Sequence, residues 1–135
     1  ASVGISYFFI PAIRQSPTPL LLSQWYKMYR RGAATAPPIA LFTSSSLAYV
    51  SYHFRSSPEY RLWALASALV IGIIPFTFIS IYPTNKELES WKDQEGRGVE
   101  RKDVDDKLTE WTSKHTARSC LSIAGGSLAL FTMIR

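Results

Sequence analysis

Residues 62–83 read LWALASALVIGIIPFTFISIYP, twenty-two positions without a charge, and run straight into Thr84-Asn85-Lys86-Glu87. About 20 such residues carry a helix across the ~30 Å hydrocarbon core of a bilayer, a length that soluble cores seldom need. Residues 33–52 (AATAPPIALFTSSSLAYVSY) form a second uncharged stretch, and residues 119–134 (SCLSIAGGSLALFTMI) a third, bounded by Arg118 and Arg135. Residues 1–13 (ASVGISYFFIPAI) read as the tail of a fourth. The expectation is one domain over residues 1–135, all-α, an integral membrane four-helix bundle. Its spans lie at about 1–13, 33–53, 61–83 and 117–135. The first is expected to be truncated, because the chain opens on Ala1 rather than Met, and it lacks the basic start and small-residue cleavage site of a signal peptide.

The net charge of +5 would suit a nucleic-acid ligand in a soluble protein, but its placement argues for a membrane. Arg14, Lys27, Arg30 and Arg31 lie between the first two spans, and eight Lys/Arg lie between the last two. Only Arg55 and Arg61 occupy the middle connection. Four alternating spans put twelve basic residues on one side against two on the other, which makes connectors 14–32 and 84–116 cytoplasmic. No aromatic-basic interleaving points to nucleic acid. Cys120 is the single cysteine, read as a small packing residue, and no Cys/His spacing suggests zinc.

In the first connector, Trp25, Met28 and Tyr29 share one helical face opposite Lys27, Arg30 and Arg31. This predicts a short amphipathic helix over 23–31 lying in the membrane interface, released into the second span at Gly32. Pro75 predicts a kink in the third span, with Thr77 near enough to satisfy disturbed backbone. Thr84-Asn85-Lys86-Glu87 has the form of a capping box that starts a new helix. Gly96 and Gly98 mark a mobile tip within 94–103, making 84–116 a charged helical loop before the last span. Val104, Leu108, Trp111 and His115 then follow a 4-3-4 spacing on one face that Arg118 extends. Ser122 and Gly126 suit close helix packing.

Four groups carry possible chemistry. Trp111, His115 and Arg118 combine a flat ring, a group that titrates near neutrality and an anion clamp. The plainer reading is an interfacial Trp with a snorkelling Arg. Thr84 and Asn85 are either hydrogen-bonders to a substrate or a helix cap. Trp25, Tyr29 and Arg31 are an aromatic wall or an interfacial anchor, and His53 with Arg55 belongs to the opposite membrane face. The first three groups all fall on the cytoplasmic side. Convergence there would give an aromatic-walled pocket with few polar groups, a common form of small-molecule site.

The run Trp25…Tyr29-Arg30-Arg31-Gly32-Ala33…Pro37, then Pro75-Phe76-Thr77…Pro83-Thr84-Asn85…Leu88, then Trp111…His115…Arg118-Ser119 resembles the DUF1772 family of small four-helix membrane proteins. The resemblance covers the chain apart from its charged 90–103 stretch. The best-understood members are fungal anthrone oxygenases of aromatic polyketide pathways. It implies oxidation of an anthrone methylene to an anthraquinone carbonyl with O2, without flavin or haem, in the endoplasmic reticulum or another intracellular membrane; no cofactor and no metal ligand is assigned. It further implies His115 as base or proton shuttle, Arg118 holding the anthrolate oxygen, and Asn85 with Tyr29 orienting peri-hydroxyls beside Thr84. Trp25 and Trp111 would stack on the rings. Deprotonated anthrone is an electron-rich anion able to reduce O2 itself, so a base, an anion clamp and a dry pocket suffice. Two other readings stand beside this one. The first is a non-catalytic membrane protein that binds an aromatic or lipid ligand or scaffolds partners; under any reading, the small-residue stripes on two spans suit a homo-oligomer. The second is a metal-dependent oxidoreductase using His115 and His53.

Overall fold

The computed structural model describes residues 2–134; Ala1 and Arg135, the outer ends expected for the first and last spans, lie outside the described residues. Four helices follow one another: α1 (residues 2–13), α2 (Thr18–His53), α3 (Tyr60–Asp93) and α4 (Arg101–Ile134). No strand occurs among the described residues.

The 62–83 stretch lies wholly inside α3. Helices α3 and α4 are each 34 residues long and apolar enough to cross a membrane. Only 22% and 17% of their apolar windows is buried against the rest of the chain, so neither is the wrapped core helix of a soluble protein. Phe42, Phe78, Ile79, Leu130, Phe131 and Met133 point outward and are exposed. Apolar surface on that scale marks a membrane-facing exterior.

Helix α2 departs from expectation. The predicted interfacial helix over 23–31 is the first half of a single 36-residue helix that runs through Gly32, Pro37 and Pro38 without a break. Leu21, Leu22 and Trp25 are completely buried, so this segment packs into the bundle instead of lying on the membrane surface. The helix penalty of one glycine is only about 1 kcal/mol, less than the burial of a single large side chain supplies. The capping box is likewise absent: Thr84 and Asn85 lie inside α3, which ends at Asp93. The connection between the last helices covers 94–100, shorter than the 94–103 expected, because α4 already begins at Arg101. Glu95, Gly96 and Gly98 take positive φ there, and a Cβ on Gly96 would come within 2.9 Å of the Thr18 side chain.

Two helices contain a π turn, Ile5–Phe9 in α1 and Thr77–Ile81 in α3. Each leads within two residues into a proline, Pro11 or Pro83. A proline ring in a regular helix collides with the carbonyl four residues back and removes its donor. The wider turn opens that space, and the Ile10 and Tyr82 amides bond back to Ile5 and Thr77. Thr77 Oγ1 donates to the Ile73 carbonyl at 2.7 Å, which already accepts the Thr77 amide, and not to the Ile71 carbonyl that Pro75 leaves without its amide donor.

Toward the opposite end, α2 and α3 are joined by a reciprocal clasp: Ser44 Oγ donates to the Ser67 carbonyl (3.2 Å) and Ser67 Oγ to that of Ser44 (2.9 Å). Helix α4 packs tightly against α3 at Gly125, where a Cβ would sit 2.9 Å from Val70 Cγ2 and 3.2 Å from the Ala66 carbonyl oxygen. The small-residue contact is therefore at Gly125 and not at Ser122 and Gly126, which face outward. Cys120 is also exposed instead of packed.

Candidate active site

The basic end of the bundle holds the main buried cluster, in which Ile10, Ile13, Leu21, Leu22, Trp25, Ile81, Leu88, Val104, Leu108 and Trp111 come together from all four helices. Two arginines tie the α1–α2 corner down onto α4. Arg101 donates to the Ser16 carbonyl at 2.7 Å and to the Arg14 carbonyl, while Arg14 reaches Thr109 Oγ1 at 2.8 Å. Helix α1 is thereby held over the face of α4 that carries Trp111 and His115.

That face has the 4-3-4 spacing the sequence predicts: Val104, Leu108, Trp111 and His115 are all buried. The aromatic rings form a continuous stack. Trp25 lies parallel to Tyr29, with centroids 5.1 Å apart, and meets Trp111 edge-on at 6.2 Å. Trp111 in turn stacks on His115 at 4.7 Å and 15°. Its Nε1 donates to Asn85 Oδ1 at 2.7 Å, which fixes both the indole plane and the amide. Burial, with Glu89 contributing next, pushes the Tyr29 phenol above its ordinary pKa, so it stays a donor.

Thr84 is placed differently from Asn85. Its hydroxyl donates to Glu110 (3.2 Å) and accepts from Lys114 (2.9 Å), a network on the aqueous side of the stack. Hydrogen bonds from Lys114 and Lys107 hold the Glu110 carboxyl down at about 2. Its contribution is therefore present above the ordinary carboxylate range and is lost only as pH falls toward 2.

His115 is 2% exposed. Ser6, carried by the π turn of α1, brings its Oγ to 3.2 Å from His115 Nδ1, and Thr116 Oγ1 donates to the same Ser6 oxygen at 3.2 Å. Sequence reading missed Ser6, since nothing local distinguishes a serine in an apolar segment; the contact spans 109 positions. Arg118, half-buried one turn beyond His115, has no hydrogen bond or ion pair among the described residues. The buried position one full turn after His115 is Ser119, whose hydroxyl bonds back to the His115 carbonyl at 2.9 Å.

Trp25, Tyr29, Asn85, Trp111 and His115 are thus joined, with Arg118 beside them and Thr84 behind Asn85. The group is closed: Trp25 is 0%, Asn85 3% and Trp111 3% exposed. One polar atom in it is orphaned, the Trp25 Nε1 donor, buried without a partner. His53 and Arg55 sit at the far end of the bundle, where Arg55 with Ser51, Tyr52 and Tyr60 lines a cavity of about 380 Å³. His53 lies 28 residues along α2 from Trp25, about 42 Å at the helical rise. The two histidines therefore cannot share a metal.

A sequence profile described as anthrone oxygenase matches residues 25–128, a stretch that holds every expected site residue. Anthrone oxygenase AgnL2 of Paecilomyces divaricatus is 28% identical, covering 95% of this chain and 83% of its own. Anthrone oxygenase ptaC of Pestalotiopsis fici is 32% identical over 82% of each chain. An anthrone oxygenase of Claviceps purpurea is 26% identical, over 93% of this chain and 75% of its own. No solved structure matches. With the profile matched across most of its length, the chain belongs to the anthrone oxygenase family.

Proposed function

We propose that this protein is a membrane-embedded anthrone oxygenase that converts an anthrone to an anthraquinone with O2. Beyond the family, the observation that carries the reading is the run of parallel and edge-on rings ending on His115, next to a guanidinium with no partner among the described residues. Flat rings suit a flat, electron-rich substrate. A guanidinium in an apolar site suits an oxyanion, which it stabilises more strongly there than in water.

In this reading Arg118 holds the oxygen that becomes negative when the anthrone loses its acidic methylene proton. His115 is the base or proton shuttle. The resulting anthrolate gives electrons to O2, forming a carbon–oxygen bond, and the peroxide takes back a proton; the remaining methylene hydrogen then leaves as a proton while the O–O bond breaks and hydroxide departs, the two combining as one water and leaving the new carbonyl. Asn85 and Tyr29 orient the hydroxyl groups flanking the ketone, Trp25 and Trp111 pack on the rings, and Thr84 secures Asn85's end of α3 to α4. The site is closed, so the substrate enters by parting α1 from α4. Helix α1 covers His115 with the Ser6 hydroxyl, so parting these two helices uncovers that ring.

The reading places four spans at about 1–13, 33–53, 61–83 and 117–135 of a single domain, with 14–32 and 84–116 cytoplasmic in an intracellular membrane such as the endoplasmic reticulum. Twelve basic residues on that side against two on the other support this orientation. Oxygen uptake by the detergent-solubilised chain with emodin anthrone tests the function. The expected result is uptake well above the spontaneous rate with anthraquinone as product. A rate equal to the background with several anthrones would favour a non-catalytic membrane protein that binds aromatic or lipid ligands.

A further inference from the structure

We infer that Ser6, with Thr116 behind it, holds His115 in the tautomer that carries its proton on Nε2, so that His115 first meets its ligand as a hydrogen-bond donor to an acceptor oxygen. The inference deepens the reading above and rests on His115 facing the substrate. It follows from hydrogen-bond accounting at one buried hydroxyl. Ser6 is 7% exposed, and its oxygen accepts the Thr116 hydroxyl at 3.2 Å. Its own hydrogen then needs an acceptor, because a buried donor left unpaired is costly. Among the described residues the acceptor within reach is His115 Nδ1, at 3.2 Å. A neutral imidazole that accepts at Nδ1 donates at Nε2.

Three features keep this arrangement rigid. The π turn Ile5–Phe9 sets Ser6 against α4, and Thr116 is the immediate neighbour of His115, so the hydroxyl pair moves with the ring. Trp111, pinned by Asn85, stacks on the imidazole and fixes its plane. Nε2 has no partner among the described residues and is the nitrogen left for a ligand. With Arg118 one turn away, the site offers two donors to one oxygen, as a ketone on the way to an enolate requires; of the two roles proposed for His115, the Nε2-protonated ring fits the proton shuttle, which gives a proton to that oxygen before it takes one from the methylene. Ser6 is thus a positioning residue acting through His115.

The test is nitrogen-15 NMR of histidine-labelled full-length chain in detergent at neutral pH, with His53→Gln assigning the two imidazoles. The expected result is a single His115 form protonated at Nε2, lost to a mixture in Ser6→Ala and restored in Ser6→Thr. In the same variants kcat/KM falls about three- to tenfold with Ser6→Ala, the range of one hydrogen bond, and recovers with Ser6→Thr. Thr116→Val, which leaves Ser6 in place, also mixes the tautomers. Protonation at Nδ1 in the native chain, or a pattern unchanged in both Ser6→Ala and Thr116→Val, would overturn the inference. The tautomer is read without turnover. Absence of oxygenation with the expected spectrum would therefore count against the proposed function alone, whereas catalysed oxygenation with an Nδ1-protonated ring would count against the role of Ser6 alone.

Discussion

Replacing His115 with alanine lowers anthrone turnover by about a hundredfold or more, the lower end of what a positioned proton-transfer group supplies. The effect falls on kcat more than on KM, since the stacked rings of Trp25 and Trp111 remain. His115 also packs between Trp111 and Ser6, so the truncation has a structural component. His115→Asn separates the two effects, because it keeps a polar group of smaller size in the same slot and stays folded. Arg118→Ala, which breaks no hydrogen bond or ion pair among the described residues, loses turnover without losing stability. Steady-state oxygen uptake, paired with thermal unfolding of each variant in detergent, reads both quantities. Full activity in both His115→Ala and Arg118→Ala would remove these residues from the site.

The second large effect is on stability. Trp25 is wholly enclosed at the centre of the cluster that joins the four helices, in contact with Tyr29 and Trp111. Trp25→Ala costs about 3–5 kcal/mol, the usual range for emptying a large aromatic site. Part of that loss is the anchoring of α2 beneath α1. Trp25→Phe costs much less, because the indole Nε1 has no hydrogen bond to forfeit. Thermal unfolding midpoints in one detergent give the comparison. An alanine variant as stable as the native chain would mean that this end of the bundle is held by the arginine contacts and not by its core.

Much of this was legible in the sequence, for identifiable reasons. The absence of charge over 62–83 and 119–134 depends only on composition, so two membrane-length helices could be read directly. The face made by Val104, Leu108, Trp111 and His115 follows from the helical period, and all four are buried. Helix boundaries were harder. Gly32 and the Thr84–Glu87 run carry local signals for breaks, yet packing of Leu21, Leu22 and Trp25, and of Leu88 against α4, carries both helices through. Gly125 and Gly126 are adjacent but about 100° apart around α4, and the rotation of that helix against α3 decides which one faces Val70. The joining of Trp25, Tyr29, Asn85, Trp111 and His115 followed from topology, because alternating spans bring those connectors to one end. Ser6 could not be found that way. Its partner is 109 positions distant, and its orientation depends on a π turn whose one sequence sign is the proline that follows.

The chemistry itself is tested most directly by turnover of an anthrone under oxygen-18 gas, with mass analysis of the quinone formed by the native chain and by His115→Ala. The account predicts one oxygen-18 atom per anthraquinone, at the new carbonyl, formed by the native chain far faster than by the variant or by the spontaneous reaction. Product that carries oxygen from water under conditions where the carbonyl does not exchange, or labelled product formed no faster than with no protein present, would contradict it.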